Sequence, residues 1–354
     1  MSNFAIEIFL LLSIGLTVLG IRICVRLETS YGRKLALDDY FTALAVPLYL
    51  VEIALAHAAR SHLGGLANHG MSDAERARLG ASSEEHKLRV LGSQIYLAGW
   101  VVHVSLLWTL KAAMCSFCSR LARNLGACRK PIYAGFAFLY VTWIATFLSI
   151  MLSCRPLSRS WQISPDPGNS CQPAVAEIDL LVTTVLDELT NAYPLCIMVL
   201  MLPHMRLSLL KKLELTAVSM CGALVMAAGI LRCVLAMTSS STGIEQAERW
   251  AVREVFAAIV TINIPIIYPF IVGGLRLLRN RTCPKDISGL PRPNPPFFPN
   301  DGVIWVTNEV GIEIRERQGS VIRREDAHEC VSRRRTLQRS DILTVTSAQG
   351  ERCP

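Results

Sequence analysis

Charged residues are scarce in this sequence. They make up 18% of its 354 residues, whereas an ordinary soluble domain has about 25%. The mean hydropathy is positive, and the apolar residues, 51% of the chain, are gathered into long blocks rather than spread as amphipathic stripes. This composition excludes a soluble globular domain and indicates a membrane protein.

Sequence motifs of the common enzyme classes are also missing. The chain contains no H-E-x-x-H zinc motif, no G-x-S-x-G nucleophile elbow and no glycine-rich phosphate loop. The formal charge of +8 does not indicate a nucleic-acid partner, because the basic residues lie in short loops and in the tail, as membrane insertion requires. We therefore expect no metal and no cofactor, and an enzyme is the less favoured interpretation.

Seven apolar blocks are long enough to cross a bilayer. A hydrocarbon core about 30 Å thick needs roughly 20 apolar residues per helix, and a helix satisfies its own backbone polar groups within that core. The sequence therefore predicts an all-α membrane protein, a seven-transmembrane helix bundle. The predicted spans are Phe4–Cys24, Leu37–Ala58, Val90–Cys115, Ile132–Ser153, Ile178–Met201, Leu215–Met237 and Trp250–Val272.

Basic residues between the blocks set the predicted orientation. Arginine and lysine concentrate in the first, third and fifth loops and after the last block, and the positive-inside rule places such loops in the cytosol. We expect a multi-pass protein of the plasma membrane or an endomembrane, with its N-terminus outside and its C-terminus cytoplasmic. Examples are Arg26, Arg33, Lys34, Arg120, Arg123, Arg129, Lys130, Arg206, Lys211, Lys212, Arg276 and Arg279.

The character of the chain changes after the seventh block. Residues 1–275 form the predicted membrane domain, and residues 276–354 form a basic cytoplasmic tail. Five prolines between Pro291 and Pro299 favour an extended spacer, and the polar remainder is typical of disorder. The tail is a candidate binding segment for a cytosolic partner.

The seventh block contains no lysine. A retinal Schiff base requires a lysine amine buried among the helices, and Lys111 in the third block is the only lysine inside any predicted span. The sequence therefore predicts a seven-helix protein without retinal.

Ionisable residues inside the spans divide into two groups by depth. A charge in hydrocarbon is costly, so such residues usually face the bundle interior, where they pair or line a cavity. Near the cytosolic end, Asp38, Asp39 and Lys111 form a predicted inner network in which Lys111 could pair with the aspartates. The outer-half group comprises Glu52, Asp187, Glu188, Arg232 and Glu254.

The outer group has two interpretations. Four acids accompany one base, so the group is not neutralised internally unless some carboxylates stay protonated. One interpretation is a polar pocket for a small-molecule ligand or for proton chemistry. Structural ion pairing and contact with lipid headgroups are the alternative. His103, in the third span, has a similar ambiguity between a ligand contact and a hydrogen-bonded core histidine.

Two cysteines, Cys154 and Cys171, lie in the predicted outer loop between the fourth and fifth spans. An extracytoplasmic compartment permits disulfides, and a bond in this loop would fix the ends of both helices. We expect this bond; two free thiols are the alternative.

An ordered set of residues resembles one known family. An arginine pair, Arg22 and Arg26, precedes the sequence Leu37-Asp38-Asp39-Tyr40. Further residue types follow in the same order: Gln94, Tyr96, Lys111, Phe117, Arg120, Leu121, Cys154, Pro156, Trp161, Cys171, Asp187, Pro194, Gly222, Arg232, Trp250, Glu254, Pro265 and Pro269. From about Arg22 to Phe270 the chain resembles the fungal rhodopsin-domain integral membrane proteins, typified by a membrane protein of the satratoxin cluster and by receptor-like relatives.

The resemblance implies a seven-helix, receptor-like protein of unknown ligand. We expect the ligand to bind among the outer polar residues. The alternative is an intramembrane enzyme of secondary metabolism, with terpene-cyclase-like acid catalysis by Asp187 or Glu254. Motifs do not indicate coupling to a G protein, because no Asp-Arg-Tyr follows the third span and Asn263-Ile264-Pro265 stands in place of Asn-Pro.

Overall fold

A computed structural model describes residues 3–29, 36–80, 82–124, 130–201, 209–238 and 241–282. These residues form eight α-helices and contain no β-strand. The predicted tail after Thr282 lies outside the described residues. The helices are α1 (Asn3–Thr29), α2 (Leu37–His57), α3 (Asp73–Arg78), α4 (Glu84–Asn124), α5 (Lys130–Leu152), α6 (Glu177–Met201), α7 (Leu209–Met237) and α8 (Ser241–Thr282).

The seven long helices pack in a ring. α1 contacts α2, α2 contacts α4, and the ring continues through α5, α6 and α7 to α8, which returns to α1. α4 also contacts α6 and α8, so it lies inside the bundle. One cluster of buried apolar side chains joins the helices, and its fully buried members include Tyr49, Leu106, Leu110 and Ile259. The short α3 belongs to the loop between α2 and α4.

The outside of the bundle is apolar, and its interior carries charge. Large hydrophobic side chains such as Leu10, Val141 and Leu224 are exposed, whereas Arg22 and Glu254 are buried. In water this arrangement would leave a large apolar surface exposed to solvent. It suits helices surrounded by hydrocarbon, where exposed side chains are apolar and ionisable groups turn inward.

Six of the described helices are long and apolar enough to cross a membrane. The prediction of an all-α membrane bundle is thereby confirmed for the described residues, and the count of seven spans stays a prediction. The predicted fifth span forms a helix, α6, but α6 is not one of the six, since its acids lower its hydropathy. The six are Phe4–Leu27, Leu37–His62, Glu84–Arg120, Tyr133–Leu152, Leu215–Met237 and Thr242–Tyr268.

Cys154 and Cys171 form a disulfide bond, as the sequence predicts. We call the end of the bundle that carries this bond the disulfide end. The loop between α2 and α4 packs there against the disulfide-bearing loop. The side-chain Nδ2 atom of Asn68 donates to the carbonyl oxygens of Ser160 and Cys171 at 3.0 and 3.3 Å. The buried guanidinium of Arg76 donates to the carbonyl oxygen of Asn68 at 2.5 Å. The two loops therefore form one hydrogen-bonded cap.

Gly92 on α4 allows this cap to approach the helix. A Cβ atom at position 92 would lie 1.8 Å from the carbonyl oxygen of Leu66, so we expect Gly92→Ala to destabilise the protein by about 1–3 kcal/mol. At Gly20 a Cβ atom would meet nothing within 4 Å, and Gly20→Ala should stabilise by up to about 1 kcal/mol, because alanine is the better helix former. Thermal unfolding of both variants in detergent tests this contrast; equal midpoints would contradict it.

Candidate ligand-binding site

A cavity of about 140 Å³ lies among α2, α4, α7 and α8, near the disulfide end. Most of its walls are apolar, and small side chains leave the space open. The small lining residues are Ala56, Ala59, Gly99, Ala174, Ala236, Ala247 and Ala251. The polar lining residues are Glu52, Tyr96, His103, Arg232 and Glu248.

Glu52 on α2 and His103 on α4 form a buried pair in the cavity wall. The Nδ1 atom of His103 lies 2.7 Å from Oε1 of Glu52, and both side chains are buried. Neither Oε2 of Glu52 nor Nε2 of His103 has a hydrogen-bond partner among the described residues. The pair therefore keeps one carboxylate acceptor and one ring nitrogen, which accepts or donates according to its protonation.

Arg232 on α7 brings a cation to the same cavity. Its Nε atom donates to Oε2 of the fully buried Glu254 at 2.7 Å. The guanidinium also lies over the indole ring of Trp100, 5.6 Å from the ring centroid, and Nε1 of Trp100 donates to the carbonyl oxygen of Pro173 at 2.8 Å. Nη2 of Arg232 has no partner in the part of the chain that the structure describes. The Nη2 group of Arg232 therefore stays unused as a hydrogen-bond donor.

Lys111 pairs with α6 rather than with the inner aspartates. Its Nζ atom donates to Oδ1 of Asp187 at 2.7 Å and to the Thr190 hydroxyl at 2.6 Å. The predicted proximity of Lys111 to Asp38 and Asp39 is thus replaced by a pair with an acid that the sequence places in the outer group. Because the two side chains are in contact, they lie at a similar depth, and the predicted division by depth was wrong for this pair. The apolar block Val90–Cys115 did not locate Lys111 correctly, since α4 extends beyond the block at both ends.

Glu188 is the acid of the outer group that has no basic partner at hydrogen-bond distance among the described residues. Both of its carboxylate oxygens are buried without a hydrogen-bond partner in those residues. Gly229 on α7 leaves room for it, since a Cβ atom there would lie 2.8 Å from Oε1 of Glu188 and 3.0 Å from Oε1 of Glu254. The outer group therefore divides into Glu52 with His103, Asp187 with Lys111, Glu254 with Arg232, and Glu188 beside Glu254.

A second polar group joins three helices at the end of the cavity nearest the loops. The Tyr96 hydroxyl donates to Oε1 of Glu248. Arg60 forms an ion pair with Glu245, and its Nε atom lies 3.8 Å from Oε2 of Glu248. Arg60 belongs to a π-helical turn, Ala58–His62, that extends α2. This turn therefore links α2 to α8 beside the cavity.

The opposite end of the bundle is held by arginines around one carboxylate. Asp38 accepts from Arg22 at 2.7 Å, from Arg120 at 2.8 Å and from Arg26 at 3.3 Å. Arg22 also donates to Oδ1 of Asn263 at 3.3 Å, so α1, α2, α4 and α8 meet here. We call this set the arginine cluster: Arg22, Arg26, Asp38, Asp39, Arg120 and Asn263.

The sequence analysis considered His103 as a ligand contact but did not identify Tyr96, Trp100 and Glu248 as lining residues. Tyr96, Trp100 and His103 are spaced i, i+4, i+7, which places them on one face of α4, and that spacing was an available signal for a shared lining. Glu248 precedes the predicted start of the seventh span, so the sequence assigned it to a loop, whereas α8 already begins at Ser241. Within the described ranges, no group of three or more His, Cys, Asp or Glu side chains could hold a metal ion.

The fold and the site define a multi-pass α-helical integral membrane protein, whose lipid-facing helices enclose buried ion pairs and a small cavity. The chain belongs to the fungal rhodopsin domain family, since the model of that family, described as "Fungal rhodopsin domain", matches residues 21–273, well over half of the chain. The family prediction from the sequence is confirmed. No curated protein and no solved structure matches the chain.

The Arg232–Glu254 pair yields a stability prediction. Arg232→Met leaves the Glu254 carboxylate buried without its cation, so we expect a loss of about 3–5 kcal/mol. The double variant Arg232→Met/Glu254→Gln should recover part of that loss, because no charge remains. Lys87→Met, which removes one partner of the exposed Lys87–Glu84 pair, is the matched control and should leave stability nearly unchanged. Thermal midpoints in detergent measure all three, and a midpoint for the single variant equal to the control would contradict the prediction.

His69, in the cap beside Tyr96, gives a pH prediction. Burial, with further contributions from Arg89 and Arg76, lowers the pKa of His69 from 6.5 to about 4. Between these two values the unfolded chain binds the proton more readily than the folded chain. The contribution of His69 is therefore complete above pH 6.5 and is lost as pH falls toward 4, by roughly 1–3 kcal/mol.

Thermal unfolding at several pH values in this range tests the assignment. The ring edge of His69 meets Tyr96, with centroids 5.6 Å apart, so His69→Phe keeps an aromatic ring and removes the titration. This variant should lose less stability between pH 6.5 and 4 than the unchanged protein. Parallel stability curves for the two proteins would contradict the role of His69.

Proposed function

We propose that this chain is a seven-transmembrane, receptor-like membrane protein that binds a small, mostly apolar ligand in the cavity and contains no retinal. The observation that carries the proposal is the cavity itself: an apolar space with a few converging polar groups is the usual form of a small-molecule site. Its polar residues include Glu52 and Arg232 of the outer group, together with His103.

The path of α6 supports a seventh crossing. Leu180, in its second turn, packs with Ala236 and Ala247 at the disulfide end. Met198, near its other end, has its sulfur 3.4 Å from the Ser219 hydroxyl in the first half of α7. α6 and α7 therefore run side by side in opposite directions. Since α7 crosses the membrane by length and composition, its antiparallel neighbour extends over much of the same depth.

The two ends of the bundle support the proposed orientation. A disulfide persists in an oxidising compartment, so the disulfide end faces outward and the N-terminus lies outside. The arginine cluster lies at the other end, where basic residues are favoured on the cytosolic side. In this orientation the cavity is near the outer surface, and residues 276–354 form a cytosolic tail available to a protein partner in the plasma membrane or an endomembrane. The satratoxin-cluster type of the family is part of the same proposal and rests on the residue resemblance.

Retinal does not fit the residues present. α8 contains no lysine, and the amine of Lys111 is bound by the carboxylate and the carbonyl oxygen of Asp187 and by Thr190. Lys111 is also not one of the cavity-lining residues. A Schiff base would require this amine to leave three hydrogen bonds and a buried carboxylate.

The receptor-like function is favoured over the intramembrane enzyme. The two acids assigned to acid catalysis, Asp187 and Glu254, each face a cation, and neither lines the cavity. A ligand in the cavity would instead contact α2, α4, α7 and α8 at once. Three of these helices, α2, α4 and α8, also meet in the arginine cluster. A shift of α2 at the cavity would therefore act on the ion pairs of that cluster.

Filling the cavity tests the proposal. Gly99 lines the space, and a Cβ atom at this position would meet nothing within 4 Å, so Gly99→Leu should fold and occupy the site. Gly20→Leu is the matched control on α1, where a Cβ atom is equally unhindered. We expect toluene to raise the thermal midpoint of the unchanged protein and of Gly20→Leu relative to Gly99→Leu in the same detergent. An equal response of all three proteins would assign the effect of toluene to the micelle and overturn the proposal.

A further inference from the structure

Five ionisable side chains from α4, α6, α7 and α8 meet inside the bundle. We call this set the central cluster: Lys111, Asp187, Glu188, Arg232 and Glu254. The other four members all lie close enough to act on the charge of Glu188. α5 also packs against α6, but it carries no acidic or basic side chain after its first residue, Lys130. Three carboxyl groups of the cluster therefore share two cations.

The ammonium group of Lys111 uses all of its donors on α6. Its Nζ atom donates to a carboxylate oxygen and the carbonyl oxygen of Asp187 and to the Thr190 hydroxyl. An ammonium group has three N–H donors, so none remains for a second carboxylate. The other carboxylate oxygen of Asp187, Oδ2, accepts from the Asn191 amide at 2.8 Å. Asp187 is thus stabilised as a carboxylate through both of its oxygens.

Glu188 and Glu254 share the remaining cation unequally. Arg232 donates through Nε to Oε2 of Glu254 at 2.7 Å, whereas Glu188 has no such partner within the described part of the chain. Glu188 is half-buried as a residue, but both of its carboxyl oxygens are shielded from solvent, as is Oε1 of Glu254. None of these three oxygens accepts a hydrogen bond from a described residue. Two ionised carboxylates would leave all three without compensation, which is costly.

Gly229 on α7 brings the two glutamates to one point. A Cβ atom at this position would lie 2.8 Å from Oε1 of Glu188 and 3.0 Å from Oε1 of Glu254. Two carboxyl groups that share a buried site do not both ionise, because their like charges repel and neither is hydrated. One proton removes a negative charge and supplies a hydrogen-bond donor, which an ionised carboxylate lacks. It therefore accounts for the excess of acids and for the unpartnered oxygens together.

We propose that Glu188 and Glu254 form a buried proton-binding site, in which one proton is held between their Oε1 atoms beside Gly229 at neutral pH. The central cluster then contains two carboxylates, two cations and one uncharged carboxylic acid. The site requires no ligand in the cavity, so it does not depend on the proposed function. It adjoins the cavity through Arg232, which binds Glu254 and also lines the cavity.

Infrared spectroscopy of the full chain in detergent at pH 7 tests for the proton. A protonated carboxyl group has a C=O stretching band that an ionised carboxylate lacks. Glu188→Gln keeps the length of the side chain and removes the acid, so its spectrum should lose the band intensity of one carboxyl group. Glu84→Gln, at an exposed position, is the matched control and should keep that intensity. Glu188→Met, which is also uncharged, serves as the variant if the amide prevents folding.

The proton also links stability to pH. The folded protein holds one proton that the unfolded chain releases above about pH 4.3, the ordinary pKa of a glutamic acid. Between pH 5 and 7 the ratio of folded to unfolded protein should therefore fall about tenfold per pH unit relative to the same ratio for Glu188→Gln. Equilibrium unfolding in mixed micelles of detergent and SDS measures both ratios. Glu84→Gln should follow the unchanged protein.

The outcomes distinguish a proton from two ionised carboxylates and from a sodium ion. Retention of the full band in Glu188→Gln, or parallel pH dependence of this variant and the unchanged protein, would overturn the proposal. Stabilisation by sodium chloride over an equal concentration of potassium chloride, seen in the unchanged protein but not in Glu188→Gln, would assign the site to a sodium ion instead. The toluene test of the cavity is separate, so the proton site and the proposed function fail independently.

Discussion

A charge that is buried among lipid-facing helices is costly unless an opposite charge meets it, and this constraint organises the bundle. Hydrocarbon outside the ring offers no hydration, so ionisable side chains turn inward and pair between helices. Asp38 with its arginines, Lys111 with Asp187 and Arg232 with Glu254 are the results. Asp38 with Arg120 and Lys111 with Asp187 join helices that are not consecutive in the chain, whereas Arg232 with Glu254 joins the consecutive α7 and α8. The polar interior therefore specifies which helices are neighbours, while exposed apolar side chains contribute little to that choice.

The same constraint explains where the cavity lies. Buried ion pairs join Asp38 with its arginines, Lys111 with Asp187 and Arg232 with Glu254, and the cavity is lined by Arg232 together with Glu52 and His103. Small residues on α2, α4, α7 and α8 leave the space open. Ionisable residues in its wall distinguish this cavity from an ordinary packing defect lined by hydrocarbon alone.

The sequence predicted the membrane class, the helical blocks, the disulfide and the family, because each depends on local composition or on the order of residues along the chain. It also identified Glu52 and Arg232, since an ionisable residue within an apolar block is conspicuous. It did not predict that Lys111 pairs with Asp187. The depths inferred from the apolar blocks separated these two residues, because α4 extends beyond its block at both ends. The choice between neighbours also depends on helix rotation and on the order of helices in the ring, and neither can be read from a single chain. Glu248 was missed for another reason. It is a charged residue just before the apolar block, so the block alone does not reveal that α8 begins earlier, at Ser241.

The π-helical turn at Ala58–His62 has a consequence for how this part of the chain tolerates change. Its hydrogen bond runs from the amide of Leu63 to the carbonyl oxygen of Ala58, one residue farther than in an α-helix. Removing a single residue there would restore regular winding and rotate the following side chains by about 100° around the helix axis. Arg60 would then point away from Glu245 and Glu248. The contacts of Arg60 with α8 therefore depend on backbone register, so insertions and deletions in the turn should be more disruptive than substitutions of its side chains.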